Sequence, residues 1–194
     1  MAGRRSLANA TLPDGFAYQP EFLTPAEEAE LVRRFEDVEF HPFDYHGYTA
    51  KRNVAVYGSK YDYGTRMTSP AAPMPDFLFL FRERAATFGG VPADALVQAV
   101  INQYPPGAPI GWHRDLPQFE VIIGISLGAS CRMRLKPYKG EGAIVSIILE
   151  ARSIYRISGV ARWRYQHSIP PVEGLRYSIT FRTRRASARE KKPA

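Results

Sequence analysis

A mainly β fold with flanking helices, an antiparallel sandwich or jelly roll, is what this sequence predicts, and three observations predict it. Two capped helical segments fall before residue 90, eight short apolar runs separated by turn residues follow, and no internal repeat or low-complexity tract interrupts them. With 194 residues, 45% hydrophobic and 12% aromatic, the chain suits one domain over 1–194 with a substantial core.

Residues 1 to 14 are polar and punctuated by Gly, Asn and Pro, so they are expected to fray or hug the surface. The next stretch reads T-P-A-E-E-A-E-L-V-R-R-F. Thr24 as N-cap, Pro25 at the first helical position and Glu27 three residues after the cap form a capping box, and a helix is predicted from about 25 to 36. Residues 37–66 are rich in Phe and Tyr with Gly47, Gly58 and Gly64 among them; Val54 and Val56 suggest a short strand running into a glycine-bearing loop. Most of these aromatics should build core. Lys51-Arg52 followed by Tyr57, Tyr61 and Tyr63 would equally suit stacking on unpaired bases. After Pro73 and Pro75, an apolar segment with a charged stripe ends at Gly89-Gly90, giving a helix of roughly 76 to 88. Strands are then predicted at about 97 to 104, 110 to 114, 120 to 127, 131 to 136, 143 to 148, 153 to 157, 162 to 167 and 175 to 182.

Composition narrows the function classes. The single Cys131 excludes an internal disulfide framework and any multi-thiolate metal site, and it suits a reducing, cytoplasmic setting. No run of about 18 apolar residues occurs, and the basic residues near the N-terminus lack an apolar segment behind them, so neither export nor membrane spanning is expected. The net charge is +7, but residues 184–194 hold five basic residues against one Glu, leaving +3 on the body. This basic tail is either a solvated end or a phosphate contact.

The chemistry centres on Trp112-His113-Arg114-Asp115. On an extended backbone, His113 and Asp115 project to the same side, about 6.6 Å apart. They could grip one metal ion. Of the other three histidines, His41 and His46 lie in the aromatic N-terminal stretch, whereas His167 stands at a predicted strand end before Ser168-Ile169-Pro170-Pro171. His113, Asp115 and His167 together would make the 2-His-1-carboxylate facial triad of non-haem Fe(II) oxygenases, which leaves coordination positions open.

The final strand supplies the second constellation. Tyr177, Ile179 and Phe181 alternate with Arg176, Ser178, Thr180 and Arg182, which share the opposite face. A row of guanidinium groups turned inward needs anionic partners. 2-Oxoglutarate suits both features, because it can chelate iron at one end and take a bidentate Arg at its far carboxylate. Asn102 and Tyr104 alternate in the same sense and offer an amide and a phenol.

These residues resemble the AlkB family of Fe(II)/2-oxoglutarate-dependent dioxygenases. N-Q-Y at 102 to 104, W-H-R-D at 112 to 115, I-S-L-G at 125 to 128, H-S-I-P at 167 to 170 and R-Y-S-I-T-F-R at 176 to 182 carry the resemblance in the family's order over about 80 residues. V-A-V-Y-G-S-K-Y-D-Y looks like the family's nucleotide-recognition lid, within the region of about 37–66. The resemblance implies a cupin-like double-stranded β-helix, with iron on His113, Asp115 and His167. It also implies Arg176 on the distal carboxylate of 2-oxoglutarate, Arg182 toward its metal end as a catalytic neighbour, and Asn102 and Tyr104 hydrogen-bonding the co-substrate. Ser178 stands where several members have Asn. Leu116-Pro117 follows the metal Asp where relatives commonly carry an acidic residue near the damaged base, which leaves base preference open.

The resemblance further implies a function. Fe(II), 2-oxoglutarate and O2 would drive oxidative demethylation of N-alkylated bases, with release of formaldehyde, succinate and carbon dioxide. The expected substrate is single-stranded or flipped DNA under repair, handled by a monomer with no membrane partner. The same chemistry on RNA or tRNA, on a protein or on a small molecule are alternatives, and a non-catalytic cupin-like binding module is a further one. Tyr57, Tyr61, Tyr63, Lys51, Arg52 and Trp112 are the candidate substrate contacts.

Overall fold

The computed structural model describes residues 11–45, 48–61 and 68–186. In chain order the elements are β1 (Phe16–Gln19), α1 (Pro25–Arg34), β2 (His41–Tyr45), β3 (Tyr48–Tyr57), β4 (Ser59–Tyr61), β5 (Thr68–Pro70), α2 (Phe79–Gly89), β6 (Leu96–Tyr104), β7 (Ile110–His113), β8 (Phe119–Gly128), β9 (Cys131–Pro137), β10 (Val145–Leu149), β11 (Ile154–Ile157), α3 (Gly159–Arg164), β12 (Tyr165–Ile169) and β13 (Arg176–Arg184). The main sheet runs β1-β11-β8-β13-β6-β3-β2, a second sheet runs β10-β9-β12-β7, and β4 pairs with β5 alone. Every strand pairing is antiparallel. This is a jelly roll with α1 and α2 on one outer face.

Two-residue periodicity divides the main sheet into two chemistries. Ile123, Ile125 and Leu127 of β8, Ala99 and Ile101 of β6, and Tyr177, Ile179 and Phe181 of β13 point outward, where they bury Leu31 of α1 and Phe81, Ala85 and Ala86 of α2. The inner face meets the second sheet, where Met133, Leu135, Val145, Leu149 and Ile169 pack with Tyr104, Ile122 and Tyr155. Full burial of each aliphatic side chain of this size contributes roughly 1.5–3 kcal/mol.

Helix α1 begins as its sequence dictates. The Thr24 hydroxyl accepts from the Glu27 amide at 3.2 Å and the Thr24 amide donates to Glu27 at 2.8 Å, so both halves of the capping box form. Its carboxylates fasten the helix to the barrel. Arg84 of α2 pairs with Glu27 at 2.6 Å, while Glu28 accepts from the Gly128 amide at 2.8 Å and from Arg152 at 2.9 Å.

Three local expectations are corrected. The segment 162–167, read as a strand, opens as helix α3 through Arg164 and extends only from Tyr165. Gly159 takes φ 51°, and the helical turn buries Ala161 and Arg162 together, a tertiary demand that overrides the β-prone Trp163. Strand β7 ends at His113, one residue short of the predicted 114, and Asp115 follows in the loop. The stretch near Val54 and Val56 is no short strand. It belongs to the ten-residue β3, which joins the main sheet beside β6. Strand β1, too short for a periodic signal, pairs with β11 at the sheet edge.

Of the expected lid, Tyr63 lies outside the described residues, as do 187–194 of the basic tail. No helix among the described residues is long and apolar enough to cross a membrane.

Gly124 tests how tightly the inner face is packed, since a Cβ there would stand 2.2 Å from the Tyr155 ring carbon Cζ. Gly124→Ala should cost about 1–3 kcal/mol, the range for overpacking a filled core, measured by denaturant unfolding.

Candidate active site

Strand register assembles the site. His167 of β12 lies opposite His113 of β7, so both imidazoles turn to the barrel interior with ring centroids 4.3 Å apart. Asp115, two residues on, completes a cluster whose ligand atoms lie within 4.8 Å of one another. The His113 Nδ1–H donates to the Gly111 carbonyl at 2.9 Å, which leaves the Nε2 lone pair for a metal. Asp115 is likewise divided in its duties: Oδ1 accepts from Arg182 Nε at 3.0 Å and Nη2 at 2.9 Å, while Oδ2 stands 3.6 Å from His167 Nε2.

Burial and charge then set the protonation states. Burial pushes the His167 imidazole down to about 3, with His113 adding to that against the pull of Asp115. Burial lowers His113 as well, opposed by Asp115 and the Gly111 carbonyl and assisted by the charges of Arg52 and Arg182. For Asp115 burial works the other way, yet Arg182, His167 and His113 outweigh it and hold the carboxyl well below the usual carboxylate range. Two neutral imidazoles and one carboxylate are the donor set that a divalent iron takes, and they fit it here.

Beside the triad runs a row of polar side chains on the inner face of β13. Arg176 stands opposite Tyr104 of β6 and Gly128 of β8, Ser178 opposite Asn102 and Ser126, and Arg182 opposite Gln98 and Ile122. Arg176 is 0% exposed. Its Nη2 donates to the Ser126 hydroxyl at 3.2 Å, and its guanidinium lies 4.8 Å from the Tyr104 ring centroid. Burial opposes its charge, but Cys131, Tyr104 and Tyr155 outweigh that and raise its pKa. Nε and Nη1 nevertheless find no hydrogen-bond acceptor. A buried guanidinium with two idle donors is costly unless an anion reaches it, and a bidentate carboxylate supplies the matching pair of acceptors. Asn102 donates to Ser178 at 3.3 Å on the same wall.

The remaining expected residues are dispersed. Arg182 forks onto Asp115 and also reaches Gln98 at 3.0 Å. Arg52 shares the inner face of β3 with Val54, lies over the Phe43 ring at 3.9 Å and is near enough for its charge to lower His113. Lys51 takes the opposite face by alternation and is exposed. Tyr57 packs against the helix-side core. Trp112 occupies the outer face of the second sheet, with Arg134 and Lys136 at 5.0 and 4.5 Å from its ring centroid. Nothing is described for the side chain of Tyr61 or for Tyr63.

Two site residues escape a reading of the sequence. Gln98 donates to the Ser59 carbonyl at the foot of β4 and accepts from Arg182, so it links the β4–β5 hairpin to Asp115. Its spacing of four and six residues before Asn102 and Tyr104 is the signal that could have found it. Arg162 is 2% exposed, and its Nη2 donates to the carbonyls of Asp115, Leu116 and Phe119 at 3.1, 2.7 and 3.0 Å. It staples the loop that carries Asp115, and no local pattern announces it.

Comparison with known proteins places these features among relatives. The 2OG-Fe(II) oxygenase superfamily pattern matches residues 15–182. An alkylated DNA repair protein ALKBH8 homolog from Arabidopsis thaliana is 28% identical over 181 residues, covering 80% of this chain and 51% of that protein. The alpha-ketoglutarate-dependent dioxygenase AlkB of Escherichia coli is 29% identical over 147 residues, 70% of this chain and 66% of that one. The chain thus spans about half the length of the first relative and 66% of the second. The solved structure of OsALKBH1 superposes with a TM-score of 0.72 at 14% identity, covering 89% of this chain and 98% of that one, which establishes the fold.

Two outcomes are expected of the site. Because the folded pKa of His167, about 3, lies below its ordinary 6.5, the metal-free unfolded chain binds protons that the folded chain refuses as pH falls from about 6.5 toward 3. Stability should decline over that window, more steeply in wild type than in His167→Ala, as thermal midpoints across pH will show. Arg162→Leu should weaken Fe(II) or Co(II) binding roughly 10-fold or more, the scale of lost support around a metal ligand, read by direct metal titration.

Proposed function

The chain belongs to the 2OG-Fe(II) oxygenase superfamily, on its AlkB side, and from that premise we propose that it removes N-linked alkyl groups from bases of nucleic acid, most naturally single-stranded or flipped DNA under repair. The observation that carries the reading is the coincidence of a metal-ready triad with the two unpaired donors of the fully buried Arg176 guanidinium. The names of the relatives, an alkylated DNA repair protein homolog and AlkB, support nucleic acid as the substrate class.

In this reading His113, Asp115 and His167 would hold Fe(II), and Arg176 would take the distal carboxylate of 2-oxoglutarate, with Asn102, Tyr104 and Ser178 along its side. When bound, iron, 2-oxoglutarate and O2 supply oxidative decarboxylation to succinate and carbon dioxide, coupled to hydroxylation of a substrate N-methyl group, which then leaves as formaldehyde. The protein's part is positional. Arg182 occupies one oxygen of Asp115, so the carboxylate offers the other. Buried neutral imidazoles need no deprotonation before they ligate. Residues 37–66 would serve as the lid over an extruded base, and Arg52 would give the site entrance a positive potential felt by the strand's phosphates. A cytoplasmic setting suits the single buried thiol of Cys131.

Formaldehyde or succinate release across N-methylated single- and double-stranded DNA and RNA tests the proposal. Turnover only with a free metabolite or a protein would replace it, and preferential turnover of RNA would move the substrate to that strand. Arg176→Ala should raise the 2-oxoglutarate concentration needed for half-maximal turnover by 10-fold or more, since a charge-assisted contact contributes about 1.5–3 kcal/mol; an unchanged requirement would assign the carboxylate to another residue.

A further inference from the structure

The outer face of the second sheet carries chemistry that the site does not use. Met133 and Leu135 of β9 are buried in the core, so Arg132, Arg134 and Lys136 between and beside them project outward. Register extends this face sideways. Arg134 lies opposite Ser146 of β10 and Ser168 of β12, Arg132 opposite Ile148, and Lys136 opposite Gln166. On the edge strand β7, Trp112 joins the same face because its neighbour His113 turns inward to His167, and Arg114 just beyond the strand lies 3.5 Å from the Tyr138 ring centroid. Among the described residues, no carboxylate lies within ion-pairing distance of Arg114, Arg132, Arg134 or Lys136.

Four cations gathered on one sheet face without a counter-charge repel one another, and a polyanion relieves that repulsion. Two aromatic rings, Trp112 and Tyr138, stand among the cations, the combination that holds single-stranded nucleic acid through phosphates and bases together. Position agrees with charge. Strand β7 is the edge of its sheet, so the backbone of this one strand separates Trp112 outside from His113 inside. A strand passing round that edge can lie on the outer face while one nucleotide reaches the triad.

We propose that this face, formed by Arg114, Arg132, Arg134 and Lys136 with Trp112 and Tyr138, is a track for the phosphate backbone flanking the target nucleotide. The proposal rests on the nucleic-acid reading above and adds where the rest of the strand runs.

The test compares wild type with Arg132→Gln/Lys136→Gln in fluorescence-anisotropy titrations of a labelled, methylated single-stranded oligodeoxynucleotide over a range of salt. For single strands the slope of log affinity against log salt changes by about 0.7 per phosphate contact, so the double variant should flatten it by about 1.4. A matched RNA strand should show the same flattening, because the contacts are to phosphate. Thermal midpoints check folding; should the double variant prove unstable, Arg132→Gln alone, at an exposed position, should flatten the slope by about 0.7. An unchanged slope beside salt-dependent wild-type binding overturns the track and leaves the nucleic-acid reading standing. Wild type that binds neither strand overturns both.

Discussion

The pairing of Arg182 with Asp115 is the interaction on which the rest of the site depends. A carboxylate only 7% exposed has to be neutralised or paired, and Arg182 meets that need with two donors on a single oxygen. The consequence is geometric as well as electrostatic. With Oδ1 spoken for, Oδ2 is the atom that faces His167, and the cluster acquires one carboxylate oxygen and two imidazoles. The guanidinium is itself steadied by Gln98, which also bonds the backbone at Ser59, so the foot of the β4–β5 hairpin and Asp115 share one chain of hydrogen bonds.

Strand β13 makes this possible because it lies between β6 and β8 and is hidden on both faces. Its apolar residues hold the helices, and its polar residues, Arg176 at one end and Arg182 at the other, span the interior of the barrel. The two arginines differ in one decisive respect. Arg182 has a carboxylate of its own, whereas Arg176 has only a neutral hydroxyl, two phenols and a thiol around it, leaving donors for an anion brought from outside. One is tied to the triad, and the other keeps two donors unpaired.

The outer surface of the second sheet repeats the same principle in reverse. There the inward residues Met133 and Leu135 are core, and the outward Arg132, Arg134 and Lys136 meet no acid among the described residues. A single run of seven residues thus contributes to the hydrophobic interior and to a cationic exterior, and His113 and Trp112 divide in the same way on β7. The inner face does chemistry, while the outer face offers charge to something long and anionic.

Much of this was fixed by residue order alone. The capping box at Thr24 and Glu27, the glycine stop after α2, and the strict alternation of β13 are local patterns, and local sterics and hydrogen bonding enforce them wherever the chain goes. His113 and Asp115 are likewise close in sequence, so their proximity follows from residue order, although Asp115 lies beyond the end of β7 and Arg162 holds its loop. Tertiary structure alone decided the rest. That His167 faces His113 depends on the register between β7 and β12, whose residues lie more than fifty positions apart; that 159–164 is helical depends on Arg162 reaching three carbonyls of the Asp115 loop; and that Tyr57 and Trp112 turn away from the triad depends on which face of each strand the core claims. Periodicity names two faces of a strand, but only packing against a partner says which of them is the inside.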